Sequence, residues 1–190
     1  MKKLLAVSFV LMFAMLTGCA NYAEDYDKNT IIVKGNGSLV EVAVEDFSES
    51  SVTEMDLTAY IEKQIEGYNT TQDKEVVKNN TLLTEDMSKV KLVLTYKDID
   101  SFNGFNLLEC ILEDFSEANE DYMRGSFTAM DGSSVKASKM EDTKKAKVFV
   151  ISEETDVVVD GEILYYNNEV SVKDGVATTT GEDNAIIIFK

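Results

Sequence analysis

The chain of 190 residues contains no histidine, no tryptophan and no proline, and it has only two cysteines, Cys19 and Cys110. Without histidine, neither a Ser-His-Asp triad nor a Cys-His pair can form. Structural zinc sites made of cysteine and histidine are excluded for the same reason. No glycine-rich phosphate loop is present either. The sequence therefore predicts no metal site and no cofactor.

Basic residues are also scarce, because 18 lysines and arginines stand against 35 acidic residues and give a formal net charge of −17. A nucleic-acid partner needs a basic face that contacts phosphates, so we expect none. Such a charge first of all favours solubility. It also predicts repulsion from acidic phospholipid head groups.

The N-terminal segment has the layout of a secretory signal peptide. It starts with Lys2-Lys3, runs apolar from Leu4 to Leu16, and ends in small residues before Cys19. As a helix, this apolar run would reach about 20 Å, whereas the hydrocarbon core of a membrane is about 30 Å thick. Residues 1–18 are therefore predicted to be a cleaved signal peptide.

The end of that segment, Leu16-Thr17-Gly18-Cys19, resembles the lipobox of bacterial lipoproteins. The resemblance implies that Cys19 carries a diacylglycerol on its sulfur, often with a further acyl chain on its amine. Two or three acyl chains hold a protein on a membrane far better than one. We therefore expect a lipid-anchored protein on the extracytoplasmic face of the cell membrane. The alternative is an ordinary secreted protein whose cleavage site precedes a cysteine.

The mature chain is predicted to consist of a lipidated tether and one domain. Residues 19–29 are polar and acidic without an apolar run, so they are expected to form a tether of at most about 35–40 Å. Residues 30–190 have the length and composition of a single domain.

In the first part of that domain, strand and helix patterns alternate. A hairpin is predicted over residues 30–46, with Val40, Val42 and Val44 on a buried face and Glu41 on the other face. A capping box at Thr53 predicts a helix from about Glu54 to Glu66 that stops at Gly67. Its apolar stripe is Leu57, Tyr60, Ile61, Ile65 and Tyr68, with both tyrosines half-buried. A second strand pair is expected at 73–83 and 89–97.

A second amphipathic helix is predicted from Asn106 to about Glu117, although the short apolar run at 107–112 also fits a strand. The remainder is rich in strands. Turns between them are too short for crossover helices, which favours an antiparallel sheet. The continuous apolar residues at 185–189 suit a strand that is covered on both faces. Strands are expected at 126–130, 147–151, 157–159, 163–166, 170–173, 176–180 and 185–189.

These patterns predict an α+β fold with a mainly antiparallel sheet, about two amphipathic helices and a strand-rich C-terminal half. The mature sequence is similar to uncharacterised lipoproteins of clostridial gut bacteria. The similarity is carried by turns and strands: Val44-Glu45-Asp46-Phe47, Tyr96-Lys97-Asp98 with Phe102-Asn103-Gly104, and the run from Val159 to Tyr166. The family has no established activity, so the resemblance transfers no functional residues.

Single polar residues offer few candidates for chemistry. Cys110 has apolar and acidic neighbours, so an inert thiol at or near the core is expected. Arg124 could bind an anion, but an ion pair with one of the many acids is favoured. Ser-x-x-Lys occurs at Ser88 and Ser133, without the companion motifs of penicillin-recognising enzymes.

Acidic clusters leave calcium binding open. The EF-hand pattern fails at both Asp98 and Asp156, because the required acids and glycine are out of place. Irregular sites remain possible, although a solvated acidic face is favoured. The candidate clusters are Glu113/Asp114, Glu117/Glu120/Asp121 and Glu153/Glu154/Asp156.

From these observations we expect a non-enzymatic binding or interaction module of the cell envelope, whose partner is a protein or another envelope component. The alternative is an envelope hydrolase that uses two carboxylates. A deep pocket with a close carboxylate pair would favour the hydrolase, whereas an open surface with exposed aromatic residues would favour binding.

Overall fold

The computed structural model describes residues 20–85 and 87–190, so the predicted signal peptide and Cys19 lie outside the described residues. Within them the chain forms three α-helices and thirteen β-strands in two sheets, which confirms the predicted α+β class. The helices are α1 (Ala20–Asp25), α2 (Glu54–Thr71) and α3 (Ile99–Asn106).

The strands follow one another closely in the C-terminal half, as predicted. They are β1 (Thr30–Val33), β2 (Leu39–Glu45), β3 (Val77–Glu85), β4 (Lys89–Tyr96), β5 (Ile111–Asp114), β6 (Ser126–Ala129), β7 (Ser134–Lys136), β8 (Lys147–Ile151), β9 (Asp156–Val159), β10 (Ile163–Tyr166), β11 (Val170–Lys173), β12 (Val176–Thr179) and β13 (Ala185–Phe189).

The larger sheet has the order β11-β12-β9-β1-β2-β4-β3, and the smaller sheet has the order β5-β8-β13-β10-β6-β7. Of the strand pairs in the described residues, only β1 with β9 is parallel, so the prediction of a mainly antiparallel arrangement is confirmed. No helix in the described part of the chain is long and apolar enough to cross a membrane.

The core lies between the two sheets. Val33 and Val157 of the larger sheet share one buried cluster with Phe149 and Ile187 of the smaller sheet. We call this face of the larger sheet its inner face. The predicted C-terminal strand is confirmed as β13, which pairs with both β8 and β10 and is buried at all five positions.

Helix α2 covers the rest of the inner face. The predicted capping box is present, because the Thr53 hydroxyl accepts from the Asp56 N–H and the Asp56 carboxylate accepts from Thr53. Leu57 and Ile61 then pack against Val90 of β4. The predicted end at Gly67 is wrong, since the helix continues to Thr71. Its last turns are held by Asn69, whose side chain bonds the backbone of the segment that enters β3.

The predicted helix from Asn106 to Glu117 is wrong. Residues 111–114 form β5, which pairs with β8, so the strand alternative for this apolar run is correct. The helix instead lies at α3, where Asp98 caps the N–H of Ser101. The residue that caps its C-terminal end is Leu107, which has a left-handed φ of 57° and is 89% exposed.

The predicted tether is also wrong for the residues that are described. Residues 20–25 form α1. Ala23 of this helix is only 1% exposed and shares a buried cluster with Ile32, Val42 and Val93 of the larger sheet. This contact covers the face opposite the inner face, which we call the outer face. Beyond the helix, Asp27 forms ion pairs of 2.6 Å with Lys89 and 2.8 Å with Lys91. Hydrogen bonds from these lysines hold the pKa of Asp27 at about 2.

Docking of α1 confirms the buried valine face predicted for β2, but the expectation for Glu41 is wrong. The valines at positions 40, 42 and 44 pack under α1 on the outer face. Successive side chains of a strand alternate between faces, so Glu41 lies on the inner face and is not directed to solvent as expected. Both faces of β2 are therefore covered.

Candidate functional site

The single residues singled out in the sequence do not converge on one site. Cys110 is 6% exposed in the core, as predicted, and burial together with the charges of Glu153 and Glu41 raises its pKa to about 12. Such a thiol is a poor nucleophile at neutral pH. Arg124 forms an exposed ion pair of 2.8 Å with Asp121, three residues earlier in the chain, as predicted.

The two Ser-x-x-Lys segments lack the geometry of a nucleophile with its base. Ser133 lies in a turn before β7, and Lys136 ends that strand. The two residues therefore do not lie one turn apart on a helix. At the other segment, the Lys91 ammonium donates to the Ala23 carbonyl at 2.7 Å and to Asp27. Lys91 therefore serves to hold α1.

The fold separates or pairs members of two of the three acidic clusters. Glu113 and Asp114 are neighbours on β5 and so point to opposite faces. Asp114 pairs with Lys147 at 3.1 Å, and Asp121 pairs with Arg124. Among residues 20–85 and 87–190, no three acidic or cysteine side chains are grouped so that they could hold a metal ion.

One acid, Glu41, is half-buried and is instead part of a polar network on the inner face. The Tyr96 hydroxyl donates to its carboxylate at 2.5 Å, and the Asn106 amide donates at 3.2 Å. Burial raises the pKa of Glu41, and the two hydrogen bonds partly oppose this shift. Burial and the adjacent carboxylate raise the pKa of Tyr96, so its hydroxyl stays protonated and able to donate.

Glu41 also borders a small pocket of about 200 Å³. Glu45, Glu153 and Glu154 line the same pocket and are exposed. Small-molecule sites usually enclose about 300–1,000 Å³, so this pocket is below the usual range. Its chemistry is that of an acid-lined cleft whose one half-buried carboxylate already accepts from two donors.

A larger groove of about 610 Å³ runs between α2 and the inner face of the larger sheet. Its lining is aromatic and aliphatic with few polar groups. The residues from α2 follow helical spacing, and the others come from β4 and α3. The lining residues are Tyr60, Ile61, Lys63, Gln64, Gly67, Tyr68, Thr71, Leu92, Leu94 and Phe105.

Three aromatic rings shape this groove. Tyr68 and Phe105 meet edge to face with ring centroids 5.6 Å apart. Tyr68 is half-buried, as predicted, but Tyr60 is 61% exposed, so the prediction of a half-buried Tyr60 is wrong. An exposed tyrosine beside an apolar groove offers a large contact surface with a polar tip.

Sequence reasoning missed this groove because its members come from three elements. Gly67 was interpreted as a helix stop, and Phe105 lies in a helix that was not predicted. The available signal was the spacing of Tyr60, Gln64, Gly67 and Thr71, which places these residues on one side of an α-helix once the helix is known to continue. No protein-family model, curated protein or solved structure matches this chain.

Proposed function

We propose that the chain is a lipid-anchored protein of the extracytoplasmic face of the cell membrane, and that it binds a partner without catalysis through the α2 groove. The anchor is supported by the signal-peptide layout and by the lipobox resemblance at Cys19. Binding is supported by an open groove of about 610 Å³, a size typical of ligand sites. None of the residues lining it is a carboxylate, so hydrolysis by paired acids has no basis there.

Gly67 is the observation that carries this proposal. Glycine inside a helix costs about 0.5–1 kcal/mol relative to alanine. The backbone does not require it, because Gly67 is absent from the positions with positive φ. Packing does not require it either, since a Cβ atom at this position would meet nothing within 4 Å. What its missing side chain does provide is open space in the middle of the groove wall.

The groove fits an extended peptide segment of a partner protein. Its α2 wall runs from Tyr60 to Thr71, which corresponds to about 17 Å of helix and to about five residues of extended peptide. Apolar side chains would contact Leu92, Leu94 and Phe105. Lys63 is the one charged residue among the lining residues, so an acidic group on the peptide would complement it.

Selection from a displayed peptide library tests this assignment. Gly67→Leu fills the groove from a position with free space, and Glu66→Leu places the same side chain at an exposed neighbouring position outside the lining. We expect peptides with alternating apolar residues and an acid that bind the wild type and Glu66→Leu but not Gly67→Leu. Selected peptides that bind all three proteins equally would place the site elsewhere.

The anchor is tested separately. Cys19→Ala removes the sulfur that receives the lipid, so the product should leave the detergent phase in a partitioning experiment or remain unprocessed. Unchanged recovery of this variant in the detergent phase would contradict the lipid anchor, and it would leave the groove assignment untouched.

An envelope hydrolase is the second candidate, because four glutamates line the smaller pocket and one of them, Glu41, has a raised pKa. A raised pKa is what a general acid requires. If this pocket were catalytic, the mature protein would release soluble fragments from purified cell-wall glycan, and Glu41→Gln would stop that release. We expect no release from the wild type.

A further inference from the structure

The docked helix α1 constrains where the membrane can lie, because its N-terminal residue Ala20 directly follows Cys19 in the chain. Consecutive Cα atoms are about 3.8 Å apart. A lipid on Cys19 would therefore be attached beside the first turn of α1. Residues 20–25 are thus part of the folded domain and do not form the long tether that the sequence predicted.

Contacts on both sides fix α1 to the outer face of the larger sheet. Ala23 packs into the cluster formed by valines of β2 and β4. Lys34 donates to the Tyr22 hydroxyl at 2.6 Å and lies 5.0 Å from the centroid of its ring. Lys91 donates to the Ala23 carbonyl and to Asp27. A six-residue helix is marginal in isolation, so these contacts define its position.

Charge on this face differs from charge on the rest of the protein. Among the side chains that the structure describes, residues 22–29, Lys34 beside Tyr22 and the outward register positions of the larger sheet hold six basic residues and four acids. The face is thus close to neutral, whereas the chain as a whole is strongly acidic. The lysines are Lys28, Lys34, Lys78, Lys89, Lys91 and Lys173, and the acids are Glu24, Asp25, Asp27 and Asp156.

We propose that this outer face, on which α1 is docked, rests on the phospholipid head groups of the membrane. The inference rests on the proposed lipid anchor at Cys19. A face that is close to neutral meets less repulsion from acidic head groups than the strongly acidic protein as a whole would. Tyr22 and Tyr26, both half-buried, have the amphipathic rings that favour the membrane interface.

Orientation of the groove follows from the same geometry. Val93 contacts α1, whereas its neighbours Leu92 and Leu94 line the groove. Because adjacent residues of a strand point to opposite faces, the larger sheet separates α1 from the groove. The groove therefore opens away from the membrane, where a partner can reach it.

Depth-dependent quenching tests this orientation. Lipidated protein is reconstituted in vesicles of phosphatidylcholine and phosphatidylglycerol that contain head-group nitroxide lipids. A fluorophore is placed on Lys173→Cys, exposed at an outward position of β11, or on Glu62→Cys, exposed on α2. The protein without an introduced cysteine controls for labelling of the buried Cys110. We expect strong loss of fluorescence at position 173 and little at position 62.

A second control lengthens the connection. Ten Gly/Ser residues inserted between Cys19 and Ala20 would add an average reach of about 17 Å, so the difference between the two labels should shrink. If the difference in quenching between the two labels did not change, docking of α1 would not be what sets the orientation of the domain on the membrane.

Failure of this inference can be told apart from failure of the anchor. Equal quenching of the two labels, or stronger quenching at position 62, in protein that mass spectrometry shows to be lipidated would overturn the orientation and leave the anchor standing. Absence of a lipid on Cys19 in the purified membrane fraction would overturn both.

Discussion

The Tyr96 hydroxyl donates a hydrogen bond of 2.5 Å to the Glu41 carboxylate on the inner face of the larger sheet. This bond joins β4 to β2, and Asn106 extends it to the end of α3. The Tyr96 ring also lies 5.9 Å from Phe105, which in turn meets Tyr68 in the groove wall. The half-buried Glu41 is thereby connected by direct contacts to the groove.

Tyr96→Phe should destabilise the domain. The change removes one of two donors to a half-buried carboxylate, and a hydrogen bond to a charged group contributes about 1.5–3 kcal/mol. Urea unfolding at neutral pH measures the loss. Tyr165→Phe is the matched control, because its hydroxyl bonds the exposed backbone of Glu141. An equal loss in the control would contradict a special role for the buried bond.

Glu41→Gln should remove one pH-dependent contribution to stability. Because burial raises the pKa of Glu41 above its ordinary value of 4.5, the folded state holds this proton more tightly than the unfolded state does. That contribution is complete below pH 4.5 and is lost as the pH rises through the raised pKa. Glutamine stays neutral and keeps an acceptor for Tyr96. The variant should therefore gain stability over the wild type between pH 4.5 and 7 in urea melts.

Acids with lowered pKa values, such as Asp27 and Asp98, have the opposite pH dependence, but they are common to both proteins. The difference between the two stability curves thus isolates position 41. A difference that is constant with pH would show that Glu41 titrates alike in the folded and unfolded states.

Two helical glycines should respond to alanine in opposite ways. Gly67→Ala adds a side chain into open space and should stabilise α2 by about 0.5–1 kcal/mol. At Gly104, a Cβ atom would clash with the Tyr68 hydroxyl oxygen, so Gly104→Ala requires the Tyr68 side chain to move. We expect Gly104→Ala to be the less stable of the two variants in thermal unfolding. The reverse order would contradict the close approach of α3 to Tyr68.

Strand β13 should tolerate little change, because it is the third strand of six and is covered on both faces. Ile187→Ala removes a fully buried side chain and should cost about 2–5 kcal/mol. Leu107→Ala changes a side chain that is 89% exposed and should stay within about 0.5 kcal/mol of the wild type. Denaturant unfolding compares them, and a soluble, stable protein lacking residues 185–190 would contradict the central position of this strand.

Local patterns in the sequence were sufficient where neighbouring residues form the structure. The hairpin of β1 and β2, the capping box at Thr53 and the closely spaced strands of the C-terminal half are all correct, since turns and caps depend on residues a few positions apart. The continuous apolar run of β13 was also informative, because such a run suits burial on both faces.

Tertiary structure decided the rest. Leu107 to Leu112 fits a helix or a strand equally, and only pairing of β5 with β8, some 35 positions away, makes part of it a strand. Residues 20–25 are polar and acidic in sequence, and their docking depends on an apolar outer face that β1, β2 and β4 present only after they have paired. That docking then turns Glu41 inward.

The sequence by itself determined the fold class, most strands and, through the lipobox resemblance, the expected attachment at Cys19. The groove, the Glu41 network and the position of α1 were decided by contacts between residues far apart in the chain. Periodicity reports which face of an element is apolar, but it does not report which other element covers that face. A site that is formed by α2, β4 and α3 together exists only when all three are in place.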